Sequence, residues 1–357
     1  MIQQKKIFAG LKVVELAGVL AGPSAGAFFA ELGADVIKIE NPKTGGDITR
    51  SWKLPVESSS ETTSAYYYSV NLLKKVIFAD LSLPKDYGKV MKFISSADVL
   101  LVNFKKGDDV KFGLDWNTLK KINPRLIYAA ISGFGEENKR IAYDLILQAE
   151  SGFMSMNGTP DSGPLKMPVA LIDLIAGHQL KEAILIALMK RKENKKGVKI
   201  SVSLLDSAIS SLANQASNFL NAGFVPALAG NNHPNIAPYG EIFQTKDKKL
   251  ITFAVGSDRQ FEELSELLQL PQKKHYSSNV LRVKNREKLA QEILPLVSTK
   301  SSSVLMEECE RRNIPAALIK SIDEVLTDKG VESIILSKSV NGKVKKAVPS
   351  IAFKMSS

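Results

Sequence analysis

Short apolar runs, separated by turns of small residues and by helical patterns, dominate the first half of the chain. Residues 11–16 are mostly apolar and predict a strand, and a turn of small residues follows at 17–22. Pro23 suits the first position of a helix, and the helical pattern continues to a stop at Gly33. A second strand at 36–39 completes a strand–helix–strand unit.

The same alternation continues through the next hundred residues. Apolar strands are predicted at 76–80, 99–102 and 126–131, with helices between them at 87–94 and 116–122. Strands separated by helices form a largely parallel sheet, and such sheets bind ligands beyond the carboxyl ends of their strands. The sequence therefore predicts an α/β fold built on a Rossmann-like parallel sheet.

The second half of the chain is more helical. Its pattern predicts helices at 174–192 and 205–220 around a strand at 198–202, a turn-rich loop at 229–235, a strand at 250–255, helices at 259–268, 286–294 and 304–311, and short strands within 334–353. We take the loop as a domain junction. The prediction is a large domain from residues 1–222 and 328–357, and a smaller α+β domain from residues 223–327.

Composition is that of an ordinary globular protein with an excess of positive charge. The 357 residues include 48 Lys and Arg against 37 Asp and Glu, which gives a net charge of +11. Excess positive charge attracts polyanions. The basic residues are scattered, however, and no aromatic side chains interleave with them as single-strand binding requires. Nucleic acid is therefore not a predicted partner.

Cysteine and histidine are too sparse for several kinds of chemistry. Cys309 is the only cysteine, and His178, His233 and His275 lie far apart in the sequence. We therefore predict no disulfide, no metal site and no serine–histidine–aspartate triad, in a cytoplasmic protein. No window approaches the roughly 18 apolar residues that a membrane span needs. Nucleophilic chemistry in this chain would depend on a carboxylate.

Three local features are candidates for a functional site. Asp173 is the only charged residue between Lys166 and Lys181, and it is either a reactive buried carboxylate or the N-cap of a helix that begins at Leu174. The turn at 17–23 could approach a phosphate or a carbonyl oxygen, or be purely structural. It lacks the glycine pattern of dinucleotide-binding sites. Tyr143 and Asp144 follow a strand end, either as site residues or as a helix cap.

Ordered sequence blocks that include these features resemble the family III CoA-transferases, which include formyl-CoA transferase, carnitine CoA-transferase and the α-methylacyl-CoA racemases. The resemblance covers nearly the whole chain. It rests on Asp173, on Tyr143 with Asp144, and on residues 19–23, 32–40, 46–50, 103–107, 123–128, 132–135, 148–149, 203–208, 230–240 and 313–315.

The resemblance implies a specific site and mechanism. Asp173 would attack an acyl-CoA thioester, form an aspartyl anhydride and then an aspartyl-CoA thioester, and pass CoA to a free acid. Tyr143 and Asp144 would share this catalytic site. The coenzyme contacts would be Val19, Leu20, Ala21, Asn41, Leu73, Lys74, Lys105 and Lys111. Coenzyme A would be substrate and product, with no metal or redox cofactor, and the protein would be an interlocked homodimer.

Two alternatives to CoA transfer stay open on the sequence. The racemases of this family place a histidine where Tyr143 stands, and a phenol with an ordinary pKa near 10 is a poor base for an α-proton. This favours CoA transfer over racemisation. Leu20 replaces a glutamine of formyl-CoA transferase, which argues against formyl/oxalate exchange and leaves a larger dicarboxylic, hydroxy or aromatic acid. A non-catalytic CoA-binding protein is the second alternative.

Overall fold

A computed structural model describes residues 7–271 and 273–355, and these form two compact units. The described residues within Met1–Phe153, Lys166–Val225 and Ser333–Ser357 make the first unit, and those within Met154–Leu165 and Pro226–Glu332 make the second. The units therefore differ from the predicted domains chiefly at Met154–Leu165, which belongs to the second unit.

A parallel six-stranded sheet organises the first unit. Its strands are β1 (Lys12–Glu15), β2 (Asp35–Glu40), β3 (Lys75–Phe78), β4 (Val99–Val102), β5 (Ile127–Ser132) and β8 (Val198–Ser203), in the order β3-β2-β1-β4-β5-β8. From β1 the chain builds outward to β3, and from β4 it builds in the opposite direction to β8. The crevice beyond the carboxyl ends of β1 and β4 is therefore the topological switch point, where open α/β sheets bind ligands.

Helices cover both faces of this sheet, which explains why its strands read as continuous apolar runs. Alternate residues of a strand point to opposite faces, so Val13 and Leu101 join one core while Val14 and Leu100 join the other. The helices are α1 (Ala21–Glu31), α2 (Ala65–Asn71), α3 (Pro84–Ser95), α4 (Asp108–Lys111), α5 (Trp116–Ile122), α6 (Asp144–Glu150), α7 (Leu171–Asn194), α8 (Leu204–Ser210) and α9 (Ala213–Ala222). A hairpin of β12 (Leu336–Val340) and β13 (Lys343–Ala347) completes the unit.

The second unit is α+β. Its antiparallel sheet has the order β11-β10-β9, formed by β9 (Tyr239–Gln244), β10 (Leu250–Ala254) and β11 (Ala316–Leu318). A short hairpin pairs β6 (Gly158–Thr159) with β7 (Gly163–Pro164). The helices are α10 (Asp258–Leu268), α11 (Asn279–Lys284), α12 (Arg286–Ser298), α13 (Ser302–Arg311), α14 (Ile322–Leu326) and α15 (Lys329–Glu332).

Most of the predicted strands and long helices are present, but two kinds of error occur. The single helix predicted at 205–220 is wrong: α8 ends at Ser210 and α9 begins at Ala213, which has a φ of 44°. The short helices α2 and α6 were not predicted, although α5, which has the same length, was. Among the described residues, no helix combines the length and apolar character of a membrane span.

Candidate active site

Asp173 lies in the first turn of α7, and the alternative interpretation of Asp173 as the N-cap is wrong. The helix begins at Leu171 with Ala170 as its N-cap, so Asp173 is the third helical residue. Its residue exposure is only 7%. A buried carboxylate is unfavourable unless a partner compensates its charge.

Asp173 differs in its electrostatic surroundings from the other buried carboxylates. Glu15, Glu40, Asp47 and Asp80 each form an ion pair with a lysine or arginine. Within residues 7–271 and 273–355, Asp173 has no such pair. Burial, and then the negative charge of Asp144, raises the pKa of Asp173 to about 7. The carboxyl group therefore changes protonation state near neutral pH.

Close contact between α1 and α7 places the turn before α1 beside Asp173. A Cβ atom at Gly177 would collide with the Ser24 hydroxyl and lie 2.8 Å from the Ala21 carbonyl oxygen, so only glycine permits this approach. Leu20 is buried in a small apolar cluster to which Ala170 and Leu174 also belong. Three predicted coenzyme contacts, Val19, Leu20 and Ala21, thus lie next to the first turn of α7. The amides of Ala21 and Gly22 open α1, where a helix has no internal acceptors.

Side chains from three other segments determine the conformation of this turn. Lys38 Nζ donates to the Ala17 carbonyl at 2.6 Å, and the Asn103 carboxamide binds both Gly18 N–H (3.1 Å) and the Gly18 carbonyl (3.0 Å). The Val19 amide, in a residue with a φ of 70°, donates to Asp47 Oδ2 at 3.2 Å. Because Gly18 follows β1 and Asn103 follows β4, their contact lies at the switch point of the sheet.

A buried network of four charged side chains adjoins this turn. Glu15 binds Lys38 at 2.9 Å and Lys74 at 2.7 Å, and Lys38 also pairs with Asp47 at 3.1 Å. A side chain at Gly26 would occupy the position of the Glu15 carboxylate. Burial alone would raise the pKa of Glu15, but the two lysines outweigh it and lower that pKa.

The two lysines of this network differ because Lys38 has two carboxylate partners and Lys74 has one. Burial lowers the pKa of Lys74 to about 8, with the charge of Lys38 adding to the effect, whereas Glu15 and Asp47 raise the pKa of Lys38 despite its burial. Lys74 Nζ donates to Glu15, Asn71 and the Pro23 carbonyl, and its side chain has no exposed area. The structure therefore gives Lys74 internal partners, and its contact with the coenzyme stays a prediction.

The other predicted coenzyme contacts lie in segments next to three strands of the sheet. Lys105 and Lys111 are exposed in the segment after β4, and neither forms an ion pair with another described residue. Leu73 is 37% exposed between α2 and β3. Asn41 follows β2 and accepts a hydrogen bond from the Lys43 amide, so its side chain caps the 3-10 helix Pro42–Thr44.

Tyr143 and Asp144 stand at the start of α6, and only the second has a defined connection to Asp173. Tyr143 is the N-cap of α6, without a side-chain cap bond, and is 49% exposed. The Asp144 carboxylate accepts from the Ile172 amide at 2.7 Å and from the Asp173 amide at 3.4 Å. Asp144 is therefore a cap, as one interpretation of the sequence held, but of α7 and not of its own helix.

Sequence reasoning missed four residues around this site. Burial, and then the charges of Asp173, Asp144 and Asp47, raises the pKa of Tyr66, so its phenol stays protonated near the carboxylate. Its ring makes an edge contact with Trp52, centroid to centroid 5.2 Å. Lys38, Asp47 and Asn103 determine the turn before α1. Their signal was present, since all three lie in the sequence blocks that carry the family resemblance, but their contacts depend on the fold.

Comparison with known proteins identifies the family of this chain. A family model described as CoA-transferase family III matches residues 8–357. A succinate–glutarate CoA-transferase of Agrobacterium fabrum is 40% identical over 93% of this chain and 85% of its own. The mouse succinyl-CoA:glutarate CoA-transferase is 33% identical over 98% of this chain and 82% of its own.

A solved structure shares the fold as well. The crystal structure of a CAIB/BAIF family protein from Brucella suis superposes with a TM-score of 0.86 at 36% identity, covering 98% of this chain and 93% of that one. Its coverage includes both units of the chain. With a family model matching from residue 8 to the last residue, the chain belongs to the family III CoA-transferases.

Proposed function

We propose that this CoA-transferase moves CoA from an acyl-CoA to a free dicarboxylic acid, with Asp173 as the nucleophile. The observation that carries the proposal is the buried Asp173 carboxylate, which lacks a cationic partner among the described residues while the other buried carboxylates have one. An isolated buried anion is poorly solvated, and this makes it a stronger nucleophile than a hydrated carboxylate.

Four substitutions complete the reaction without a net change in protons. An Asp173 oxygen bonds to the thioester carbonyl carbon, the carbon–sulfur bond breaks, and an aspartyl anhydride and CoA thiolate result. The thiolate then bonds to the Asp173 carbonyl carbon and expels the donor acid, leaving an aspartyl-CoA thioester. The acceptor carboxylate then bonds to the Asp173 carbonyl carbon and displaces the thiolate, which forms a second anhydride. Finally, the thiolate attacks the carbonyl carbon that came from the acceptor, which forms the new acyl-CoA and releases the Asp173 carboxylate.

The surroundings of Asp173 favour each acylated state over the free carboxylate. Burial and Asp144 disfavour the negative charge, as the raised pKa of Asp173 shows. Acylation removes that charge, so the same surroundings stabilise anhydride and thioester relative to the anion. The amides of Ala21 and Gly22 at the start of α1 supply donors for the tetrahedral oxyanions.

A dicarboxylic acceptor is the substrate class we infer. Two relatives named for succinate and glutarate cover most of this chain at 40% and 33% identity. A dicarboxylic acid is one of the three substrate classes that the sequence analysis left open because of Leu20. Exchange of α-protons is not part of the proposed reaction, because Tyr143 stands where a racemase has histidine.

Trapping with hydroxylamine tests the proposal directly. The protein is incubated with succinyl-CoA and hydroxylamine, digested and analysed by mass spectrometry. We expect a hydroxamate at Asp173 and at no other carboxylate, with an Asp173→Asn variant as the control that shows none. Transfer of CoA to glutarate without any hydroxamate, or deuterium exchange at the α-carbon of a 2-methylacyl-CoA, would contradict the proposal.

Lys105 and Lys111 are proposed to bind the coenzyme phosphates. We expect Lys105→Ala/Lys111→Ala to raise KM for acyl-CoA about 100-fold with kcat unchanged, since each of the two bonds to a charged phosphate contributes roughly 1.5 kcal/mol, or about 10-fold. Lys106→Ala is the matched control, because Lys106 is already bound to Glu137 at 2.6 Å and should change KM much less. Steady-state kinetics at low and high salt measure the effect, and an unchanged KM in the double variant would refute these contacts.

We also infer that the enzyme acts as an interlocked homodimer in the cytoplasm, as the family resemblance and the single cysteine suggest. The exposed apolar residues of helix α9 and of the segment after it support a dimer, because no residue of this helix is buried within the chain. Phe219, Leu220, Phe224 and Val225 are between 46% and 77% exposed. A second copy of the chain would bury this apolar surface.

A further inference from the structure

Helix α7 begins without a capping residue of its own. Its N-cap, Ala170, has no side-chain acceptor, and the first turn therefore leaves the amides of Ile172 and Asp173 without intrahelical partners. Both donate to Asp144 Oδ1, at 2.7 Å and 3.4 Å. A carboxylate near a helix N-terminus also complements the helix dipole. The backbone of the nucleophile is thus held by a residue 29 positions earlier.

The other oxygen of Asp144 is held as firmly. Gln148 Nε2 donates to Asp144 Oδ2, and the Gln148 carboxamide is in turn bound to the amide of Met167 at 2.8 Å and to its carbonyl at 3.4 Å. Gln148 is 1% exposed. With donors on both oxygens and a buried partner behind them, the orientation of the Asp144 carboxylate is determined by the fold.

We propose that Asp144 is a positioning residue that orients Asp173 and places a negative charge beside it, and that it does not exchange protons with substrate. The proposal rests on the proposed function of Asp173. The Asp144 carboxylate accepts from three N–H donors, and two of these belong to the first turn of α7. The resemblance placed Asp144 among the catalytic residues, and this geometry gives it an indirect role.

The charge of Asp144 has a measurable consequence for Asp173. The titratable groups around Asp173 are Asp144 and the phenol of Tyr66, and among the described residues no lysine or arginine pairs with it. Because only the ionised Asp173 attacks a thioester, single-turnover CoA release should rise with pH around the Asp173 pKa of about 7. Removing the charge of Asp144 should move this rise to lower pH.

Asp144→Asn keeps the acceptor for the Ile172 amide and removes the charge. We expect the midpoint of CoA release against pH to fall by roughly one unit. In this variant the new side-chain NH2 group would face the NH2 group of Gln148, and two donors cannot form a hydrogen bond with each other. The second variant therefore combines Asp144→Asn with Gln148→Glu. The double variant restores a donor–acceptor pair between positions 144 and 148, and it places the negative charge at position 148, farther from Asp173. The pH midpoint of CoA release should therefore lie between those of the single variant and the wild type.

Asp144→Ala removes the cap as well as the charge. We expect kcat to fall about 100-fold with KM for acyl-CoA changed less than about threefold, because a small displacement of the nucleophile affects the reaction more than binding. Asp115→Ala is the matched control: it removes the Asp115 side-chain cap of α5, which accepts from the Thr118 amide at 3.1 Å, and should leave the pH midpoint unchanged.

Two outcomes would overturn this inference. The first is a wild-type midpoint in both Asp144→Asn and the double variant. The second is a wild-type kcat in Asp144→Ala. Either result, in a protein whose Asp173→Asn variant is inactive, refutes the role of Asp144 and leaves the proposed function intact. An active Asp173→Asn variant would instead refute the proposed function itself.

Discussion

Replacement of Asp173 by asparagine is expected to abolish CoA transfer and, at pH 8, to make the folded protein more stable. Asparagine has nearly the same shape but cannot form the anhydride, so we expect a loss of about 10⁴-fold or more in kcat. The gain in stability follows from charge. The carboxamide of the variant would be neutral at every pH, whereas burial and Asp144 disfavour the ionised Asp173 that the wild type carries at pH 8.

The effect on stability depends on pH in a defined direction. The folded pKa of Asp173, about 7, lies above its ordinary value of 3.8, so the folded protein retains a proton that the unfolded chain has released. This contribution is complete below pH 3.8 and is lost as pH rises through about 7. The free energy of unfolding of Asp173→Asn relative to wild type should therefore increase by roughly 2 kcal/mol between pH 5 and pH 8.

Urea unfolding at several pH values, together with CoA transfer at each, measures both effects. Asp206→Asn is the matched control, because Asp206 lies in the first turn of α8 but is exposed. It should change neither the activity nor the pH dependence. A constant stability difference between pH 5 and pH 8 would show that Asp173 is ionised and compensated in the folded protein.

Replacement of Glu15 by glutamine is expected to cause the largest loss of stability among the substitutions considered. Glu15 is fully buried between Lys38 and Lys74. Glutamine retains the volume but leaves Lys74 without a carboxylate partner, and breaking a buried ion pair on one side costs roughly 3–5 kcal/mol. KM for acyl-CoA should also rise, because Lys38 and Asp47 hold the turn of Val19, Leu20 and Ala21, which the family resemblance predicts to contact the coenzyme.

The pH dependence of this variant identifies the cause. Lys74, with its pKa already lowered to about 8, should lose its proton more readily without Glu15. A group whose folded pKa is depressed below its ordinary 10.5 favours folding increasingly as pH rises towards that value. The stability of Glu15→Gln should therefore recover, relative to wild type, as pH rises towards about 8, because above that pH Lys74 is mostly neutral in both folded proteins.

Glu15→Gln combined with Lys74→Met separates charge from packing. The double variant leaves the pair of Lys38 and Asp47 intact, and we expect it to recover at least half of the lost free energy of unfolding. Glu150→Gln is the control for an exposed pair, since Glu150 binds Arg140 at the surface and should change stability little. No recovery in the double variant would show that packing, and not the unpaired lysine, causes the loss.

Much of the fold could be predicted because its signals are local. The first strand–helix–strand unit follows from an apolar run, Pro23 at a helix start and Gly33 at its end, and these features act through backbone energies over a few residues. The break between α8 and α9 could not be predicted in this way. No proline or glycine marks it, and residues 205–220 are equally apolar on both sides of the break.

The sequence identified Asp173 as a candidate but not the contacts that surround it. A single charge in an apolar stretch identified Asp173, yet sequence placed the start of α7 three residues too late because the acceptor that caps it, Asp144, comes from another helix. Lys74 was predicted to contact the coenzyme on the family resemblance alone. Its burial depends on Glu15 and on the space that Gly26 leaves.

The order of the main strands and long helices, the α/β class and membership of the CoA-transferase family could be predicted from the amino-acid sequence, since periodicity and ordered motifs are properties of the chain itself. Only the folded structure decided which carboxylates have a cation beside them. Electrostatic interaction depends on distance through space, and the partners of Glu15, Asp47 and Asp173 lie between 9 and 59 positions away along the chain. That arrangement distinguishes the one reactive acid proposed here from its structural neighbours.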